Sequence, residues 1–296
     1  MELQQLLYFR KVAELQHFTR AAEALAVSQP ALSRAVAHLE DELGVRLFER
    51  EGRSVRLNRY GQIFLGRVER ILQEVEAARH EMADLAGTER GTVALAFLHT
   101  LGVRLIPDLL RQFRQKHPQI GFHLGQNASE VLLRQLDAGE IDLCLASLVQ
   151  RKEQPAVEWV DLFSEELYLV VPPDHALAGR GTAALQEVAG SDFISLKPST
   201  GLRKISDELC RQAGFTPHIL FEGEEVATIR GLVQTGFGVA LLPAPAAPAA
   251  PEQLGPEWLH VSTPVCRRTI GLAWRKDRYL SGAARLFRDF VLARFQ

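Results

Sequence analysis

Cysteine is scarce in this chain: three residues in 296, at 144, 210 and 266, with no CxxC pair among them. So few thiols, so far apart, exclude a disulfide framework and a thiolate zinc site, and they fit a reducing cytoplasm. Net charge is nearly absent at −2, which excludes a wholly basic nucleic-acid coat protein. It does not exclude a small basic module beside an acidic partner domain, because a net charge averages over both. Low-complexity tracts are missing as well, and 47% hydrophobic with 24% charged residues is an ordinary globular composition. The first residues, MELQQLLYFRKVAELQ, carry charge throughout, so neither a signal peptide nor a membrane anchor is expected there.

Long apolar runs are missing with one exception, Gly231 to Pro251, 21 residues without a charge. Seven of them are Gly or Pro, so the stretch reads as a turn, a buried strand in GFGVALLP and a stop, not as a bilayer span. Enzymatic signatures are absent too. No GxSxG elbow, P-loop, HExxH or glycine-rich dinucleotide turn occurs, and no Cys–His pairing is legible. At this length the prior is about two domains.

What is present begins with helices. Leu3, Leu6, Leu7 and Phe9, with Val12 and Ala13, recur at three- and four-residue steps and predict one buried helical face. His17-Phe18-Thr19 interrupts that pattern, and Thr19 is the expected cap of a second helix, TRAAEALA. After the turn Ala26-Val27, Ser28 stands at an N-cap with Pro30 just inside, and the third helix runs to about Leu43 before Gly44. Two short helices joined by a tight turn make a helix-turn-helix. Ala21 and Ala22 allow close approach, and Leu25, Val27, Leu32 and Val36 are the expected core. Gln29, Ser33, Arg34 and His38 then face outward, where they can reach base edges or phosphates. The plainer alternative is a three-helix bundle with a solvated face.

VRLFEREGRSVRLNRYG alternates apolar and polar residues around Arg50-Glu51-Gly52-Arg53, the pattern of a β-hairpin wing. Five arginines and two glutamates lie between Gly44 and Tyr60, whereas residues 1–60 hold nine basic and eight acidic side chains. Positive charge is thus concentrated on the wing, as phosphate contacts require. Phe64, Val68, Ile71, Val75, Ala78, Met82 and Leu85 then step by fours and threes, an apolar seam of period 3.5. Such a narrow seam suits pairing with a second copy; packing on its own domain is the alternative.

Beyond Gly91 strands alternate with helices. Strands are expected at about 92–97, 120–125, 141–146, 157–162, 167–172, 192–196, 218–222, 239–242 and 270–275. Helices are expected at about 102–116, 129–138, 201–213, 226–235 and 281–294. This predicts an α/β architecture with largely parallel sheet, two lobes, and a ligand cleft between them.

FTRAAEALAVSQPALSRAVAHLEDELGVRLFEREGRSVRLNRYG, the heptad helix and GTVALAF strongly resemble the LysR-type transcriptional regulators. The match is nearly continuous over residues 1–66. Over 91–296 it rests on IPDLLRQFRQKHPQI, LDAGEIDLCL, PPDHALA and GLVQTGFGVALLP. The resemblance implies an α/β multidomain protein: a winged helix-turn-helix DNA-binding domain over 1–58, a long linker (dimerisation) helix over 59–88, and a two-lobed periplasmic-binding-protein-like effector domain over 89–296. The lobes would be about 89–162 plus 267–296, and about 163–266.

It further implies a cytoplasmic, non-enzymatic regulator of transcription. Its partners would be duplex DNA, further copies of itself as homodimer or homotetramer through the 59–88 helix, and RNA polymerase as a candidate; no membrane is expected. By position Gln29, Pro30, Ser33 and Arg34 match the recognition-helix contacts and Arg53 the minor-groove wing contact, with His38 and Arg50 as further DNA-binding candidates. Effector-binding positions are His99, Thr100, Asn127, Ser129 and Ser147 in the first lobe, and Ser199, Thr200, Gly201, Glu225 and Val226 in the second. Hydroxyls and N–H groups at helix N-termini suit a small-molecule inducer that is a carboxylate or other small anion, although Ser and Thr there also serve as simple caps. No metal or cofactor is expected. One branch of the family senses peroxide through two cysteines; aligned to it, LRKISDELCRQAG has Cys210 at the resolving position but Gly201 in place of the reactive cysteine, which argues against that switch. The rival classes are a solute-binding protein without a regulatory role and an enzyme.

Overall fold

The computed structural model describes residues 1–51, 54–85, 90–147, 156–244 and 255–295. They fall into two compact units, Met1–Gly87 and Thr88–Gln296.

The first unit holds α1 (Leu3–Leu15), α2 (Phe18–Ala24), α3 (Gln29–Leu43), a hairpin of β1 (Phe48–Glu51) and β2 (Ser54–Leu57), and α4 (Arg59–Leu85). In α1 the buried face is narrower than its leucines suggest. Leu6, Phe9, Val12 and Ala13 are buried, whereas Leu3 and Leu7 lie on the exposed flank. Gln5 is buried as well, and its amide accepts from the Glu2 N–H at 2.7 Å and bonds His38 at 3.0 Å. The cap of α2 is His17, not Thr19: its ring nitrogen accepts the Arg20 N–H at 3.5 Å, so the helix begins at Phe18. Ser28 caps α3 by accepting the Ala31 N–H at 3.4 Å, and Gly44 ends it in the left-handed conformation at φ 69°. Leu32 and Val36 are buried with Ala21 and Ala22, and Leu25 and Val27 pack against them.

The seam of α4 divides. Val68 and Leu72 are buried with Phe64 and Leu65 against the core around Phe9, and the Phe64 ring meets Phe9 edge-on at 5.2 Å. Ile63, Ile71 and Met82 stay exposed. Of the seam residues Phe64 and Val68 pack on their own unit, whereas Ile71, Ala78 and Met82 face outward. The reason is length: 27 residues make a helix about 40 Å long, far longer than the 13-residue α1 it packs on.

The second unit comprises β3 (Gly91–Phe97), α5 (Leu105–Lys116), β4 (Ile120–Gln126), α6 (Ser129–Ala138), β5 (Leu143–Ala146), β6 (Val157–Val171), β7 (Thr182–Ala183), β8 (Asp192–Leu196), α7 (Gly201–Gln212), β9 (His218–Gly223), α8 (Val226–Gln234), β10 (Ala240–Pro243), β11 (Glu257–Val261), β12 (Arg267–Arg275) and α9 (Gly282–Phe295). Its apolar residues form two cores, one around Phe113 and Phe287, the other around Phe193 and Leu241. These are the two lobes. In the first, β4, β3 and β5 are parallel; in the second, β8 and β9 are parallel.

The sheet is nonetheless mixed, not largely parallel. The strands expected at 157–162 and 167–172 are one strand, β6, and it pairs antiparallel with β12, β10 and β11. The polar Ser164-Glu165-Glu166 in its middle reads as a break in sequence. In the fold it is where the strand passes from one core to the other, so its carboxylates find partners instead of burying. β12 starts three residues before the expected 270 to meet it, Arg268 opposite Glu165. The uncharged stretch from Gly231 is the end of α8, a turn and β10; residues 245–254 lie outside the described residues. Among the described residues no helix is long and apolar enough to cross a membrane.

Candidate functional sites

The first site is the outer side of α3. Leu32, Val36, Leu39 and Glu40 turn inward, which leaves Gln29, Pro30, Arg34 and His38 exposed and Ser33 half-buried. Gln29 and Ser33 line a groove whose other walls are His17, Phe18 and Thr19 of the preceding helix and Arg46, Phe48 and Ser54 of the wing. Arg34 projects from the next strip of the helix, and its guanidinium donates to the Pro30 carbonyl at 3.3 Å. His38 stands apart on the opposite flank, tied to Gln5 of α1. Arg50 lies on β1 opposite Val55, and Arg53 lies outside the described residues.

Glu40 holds the wing in place, and no pattern in the sequence marks it. Its buried carboxylate accepts the backbone N–H groups of Leu47 at 2.7 Å and Phe48 at 3.3 Å and the Arg46 guanidinium at 2.7 Å. The hydrogen bond to Glu40 in turn raises the pKa of Arg46 above its ordinary value. From the other side the Val55 N–H donates to the Gln16 carbonyl at 3.0 Å. Hairpin and recognition helix are thus fixed to one another, so both can meet one ligand in a set register.

The second site is a cavity of ≈ 320 Å³ between the two lobes. Nine of the ten effector candidates line it: His99, Thr100, Asn127, Ser129 and Ser147 from the first lobe, and Ser199, Thr200, Gly201 and Val226 from the second. Glu225 does not. It is the residue before α8 and caps nothing with its side chain; its neighbour Glu224 lines the cavity and pairs with Lys197 at 2.5 Å.

Two helix N-termini meet here. The Ser129 hydroxyl, opening α6, donates to the Ser147 carbonyl at 2.9 Å and accepts the Ser147 N–H at 3.3 Å. Gly201, opening α7, lies so near that a Cβ on it would sit 3.4 Å from the Ser129 Oγ and 3.5 Å from the Ser147 carbonyl. Lys204 of α7 reaches back across to Glu130 of α6. Thr200 spends its hydroxyl locally: it accepts the Arg203 N–H at 3.3 Å and donates to the Lys197 carbonyl at 2.9 Å, the work of a cap. The Ser147 Oγ is different, being buried with no hydrogen-bond partner among the described residues.

Sequence reasoning missed the charged residues of the cavity, Glu130, Arg134, Lys197, Glu224 and Arg268, and of these Arg268 is the buried one. Its side chain is only 3% exposed, it is paired through Nε with Glu165, and it donates through Nη2 to the Thr100 hydroxyl at 2.7 Å. Burial pulls its pKa below the ordinary guanidinium value, with Glu165 acting in the other direction. Two of its donors are engaged, and a guanidinium carries five.

Cys144, Cys210 and Cys266 are all buried, and burial pushes each thiol up to about 12. Such thiols carry almost no thiolate at neutral pH, so they are poor nucleophiles.

Two family models match the chain: the bacterial regulatory helix-turn-helix protein, lysR family, over residues 3–62, and the LysR substrate binding domain over residues 86–296. An HTH-type transcriptional regulator of Bacillus subtilis (strain 168), YybE, is 45% identical over 295 residues, covering 100% of this chain and 99% of the relative. The structure of full-length CbnR complexed with its target DNA aligns with a TM-score of 0.74 at 27% identity, covering 100% of both chains. The effector binding domain of QuiR in complex with shikimate aligns with a TM-score of 0.65 at 29% identity, over 70% of this chain and 97% of that one. With a wing-braced recognition helix at one end of the sequence and a two-lobed effector domain filling the rest, the chain belongs to the LysR family and is a DNA-binding transcription regulator.

Proposed function

We propose that this regulator senses a small carboxylate or other small anion in the interlobe cavity and reads its operator with Gln29, Ser33 and Arg34. The observation that carries the sensing half is the Ser147 hydroxyl, a buried polar group with no partner among the described residues, in a cavity where two helix N-termini converge. A buried hydroxyl left unbonded costs about 1–3 kcal/mol, and an oxygen of a bound acid would relieve it. The facing ends of α6 and α7 carry like partial charges, each about +0.5, so an anion between them turns a repulsion into an attraction. Unspent donors on Arg268 add to the same preference. QuiR, whose effector domain holds shikimate, gives a carboxylate precedent within the family.

Gln29 is suited to adenine, Arg34 to guanine or phosphate, and the arginines of the wing to the backbone or a narrow minor groove. Two copies pair through the outward part of α4, around Ile63, Ile71 and Met82. The protein works in the cytoplasm and catalyses nothing. Bound anion favours one arrangement of the lobes, and a coupling of about 1–3 kcal/mol is enough to alter the DNA-bound oligomer.

The test is thermal unfolding of the full chain with small carboxylic acids and with their neutral amides. Acids should raise the midpoint and amides should not, because ligand at a hundred times its Kd adds about 2.7 kcal/mol. Equal shifts for acid and amide would contradict the anion reading.

A further inference from the structure

The charges that line the cavity are almost all matched. Arg268 is paired with Glu165, Lys197 with Glu224, and Glu130 with Lys204 from the opposite lobe. Arg134 is the exception. It lines the cavity from the second turn of α6, and among the described residues no carboxylate is paired with it. Its natural partner on the helix is Glu130, four residues earlier on the same face. That partner is taken by Lys204. The cross-lobe pair therefore leaves a guanidinium uncompensated in the cavity wall, about 7.5 Å along the helix axis from Ser129. A single carboxylate held at the N-termini of α6 and α7 and at the Ser147 hydroxyl would leave Arg134 still unmatched.

We propose that the ligand carries two acid groups, one held at the helix N-termini beside Ser147 and the other by Arg134. This rests on the anion reading above and narrows it to a class, small dicarboxylates or acids with an equivalent second anionic group. Arg134 then decides between occupants of similar size. A mono-acid satisfies one end, whereas a diacid satisfies both and removes the uncompensated charge. The exposure of Arg134 keeps the cost of its desolvation low, so its contribution is selectivity rather than the bulk of the affinity.

The experiment is isothermal titration of the full chain with straight-chain α,ω-diacids of four to eight carbons and with the mono-acids of the same lengths, in wild type and Arg134→Gln. In wild type the best-fitting diacid should bind about tenfold or more tightly than its mono-acid. In Arg134→Gln that advantage should vanish while mono-acid affinity stays as it was. If diacids and mono-acids bind wild type equally, or if the substitution weakens both alike, the anion site stands and the two-acid inference falls. If no acid of either series binds, the anion reading fails and takes this inference with it. Circular dichroism of Arg134→Gln, an exposed helix position, establishes that the variant is folded.

Discussion

The outer face of α3 and the interlobe cavity both present polar side chains to a ligand, but they hold them in opposite ways. Gln29 and Arg34 are exposed on α3 and spend almost nothing on the fold. Ser147 and Arg268 are nearly sealed, one without a partner among the described residues and the other committed to Glu165 and Thr100. The difference follows from what each must recognise. A duplex supplies a large charged surface, so an exposed face with a braced wing suffices. A small molecule supplies few contacts, so each has to be dry and positioned beforehand. Substitutions on the outer face of α3 should therefore change binding and spare stability, and substitution of a cavity side chain committed to partners, as Arg268 is, should change both.

The largest effect expected from this contrast is that of Arg268→Ala. It leaves Glu165 without its cation and the Thr100 hydroxyl without its donor. Because Glu165 is 24% exposed, the loss falls toward the lower end for a broken buried pair, about 3 kcal/mol. Denaturant unfolding of the full chain measures it, and a change under about 0.5 kcal/mol would mean the pair holds nothing together.

Glu40→Ala applies the same reasoning inside the DNA-binding unit. Glu40 is built like a cavity residue, buried and accepting two backbone N–H groups, so its removal should cost about 2 kcal/mol of stability as well as DNA affinity. Arg34→Ala should weaken binding to a specific duplex by about 1–3 kcal/mol while leaving stability within about 0.5 kcal/mol. Gel shifts beside melting curves separate the two, and a stability loss as large as the binding loss would erase the contrast. The smallest effect concerns the thiols. With Cys210 pushed up to about 12 and Gly201 in the place of a reactive partner, hydrogen peroxide should alter neither DNA affinity nor the mass of the cysteine-bearing peptides of the native chain. A disulfide or sulfenic acid found by mass spectrometry would overturn this.

The helix-turn-helix was readable because its signals are local. Ser28 and Gly44 mark the ends of α3, and the inward and outward residues follow from a 3.6-residue period. The cap of α2 was misplaced because His17 and Thr19 both offer an acceptor near the break, and only the fold decides which faces the free N–H groups. Most of the cavity wall was legible too, since strand ends and helix starts converge there. The family resemblance supplied the alignment, and the one candidate outside the cavity, Glu225 where Glu224 lines it, is a single-residue slip at the start of α8. What stayed hidden is long-range. Arg268 meets Glu165 across 103 residues of sequence, and nothing near either one announces the pair. The same holds for β6, whose Ser-Glu-Glu centre looks like a loop until the antiparallel partner is in place. Glu40 resembles any helical glutamate until the wing folds back on it.

Sensing turns on Ser147 being a ligand group and not a structural one, and thermal unfolding of wild type beside Ser147→Ala, each with and without a saturating small acid, measures that directly. Removing an unpartnered buried hydroxyl should leave the empty protein as stable or raise its midpoint by about 2–4 °C, while the increment from the acid shrinks. A drop in the midpoint of the empty variant, with the acid's increment intact, would contradict it.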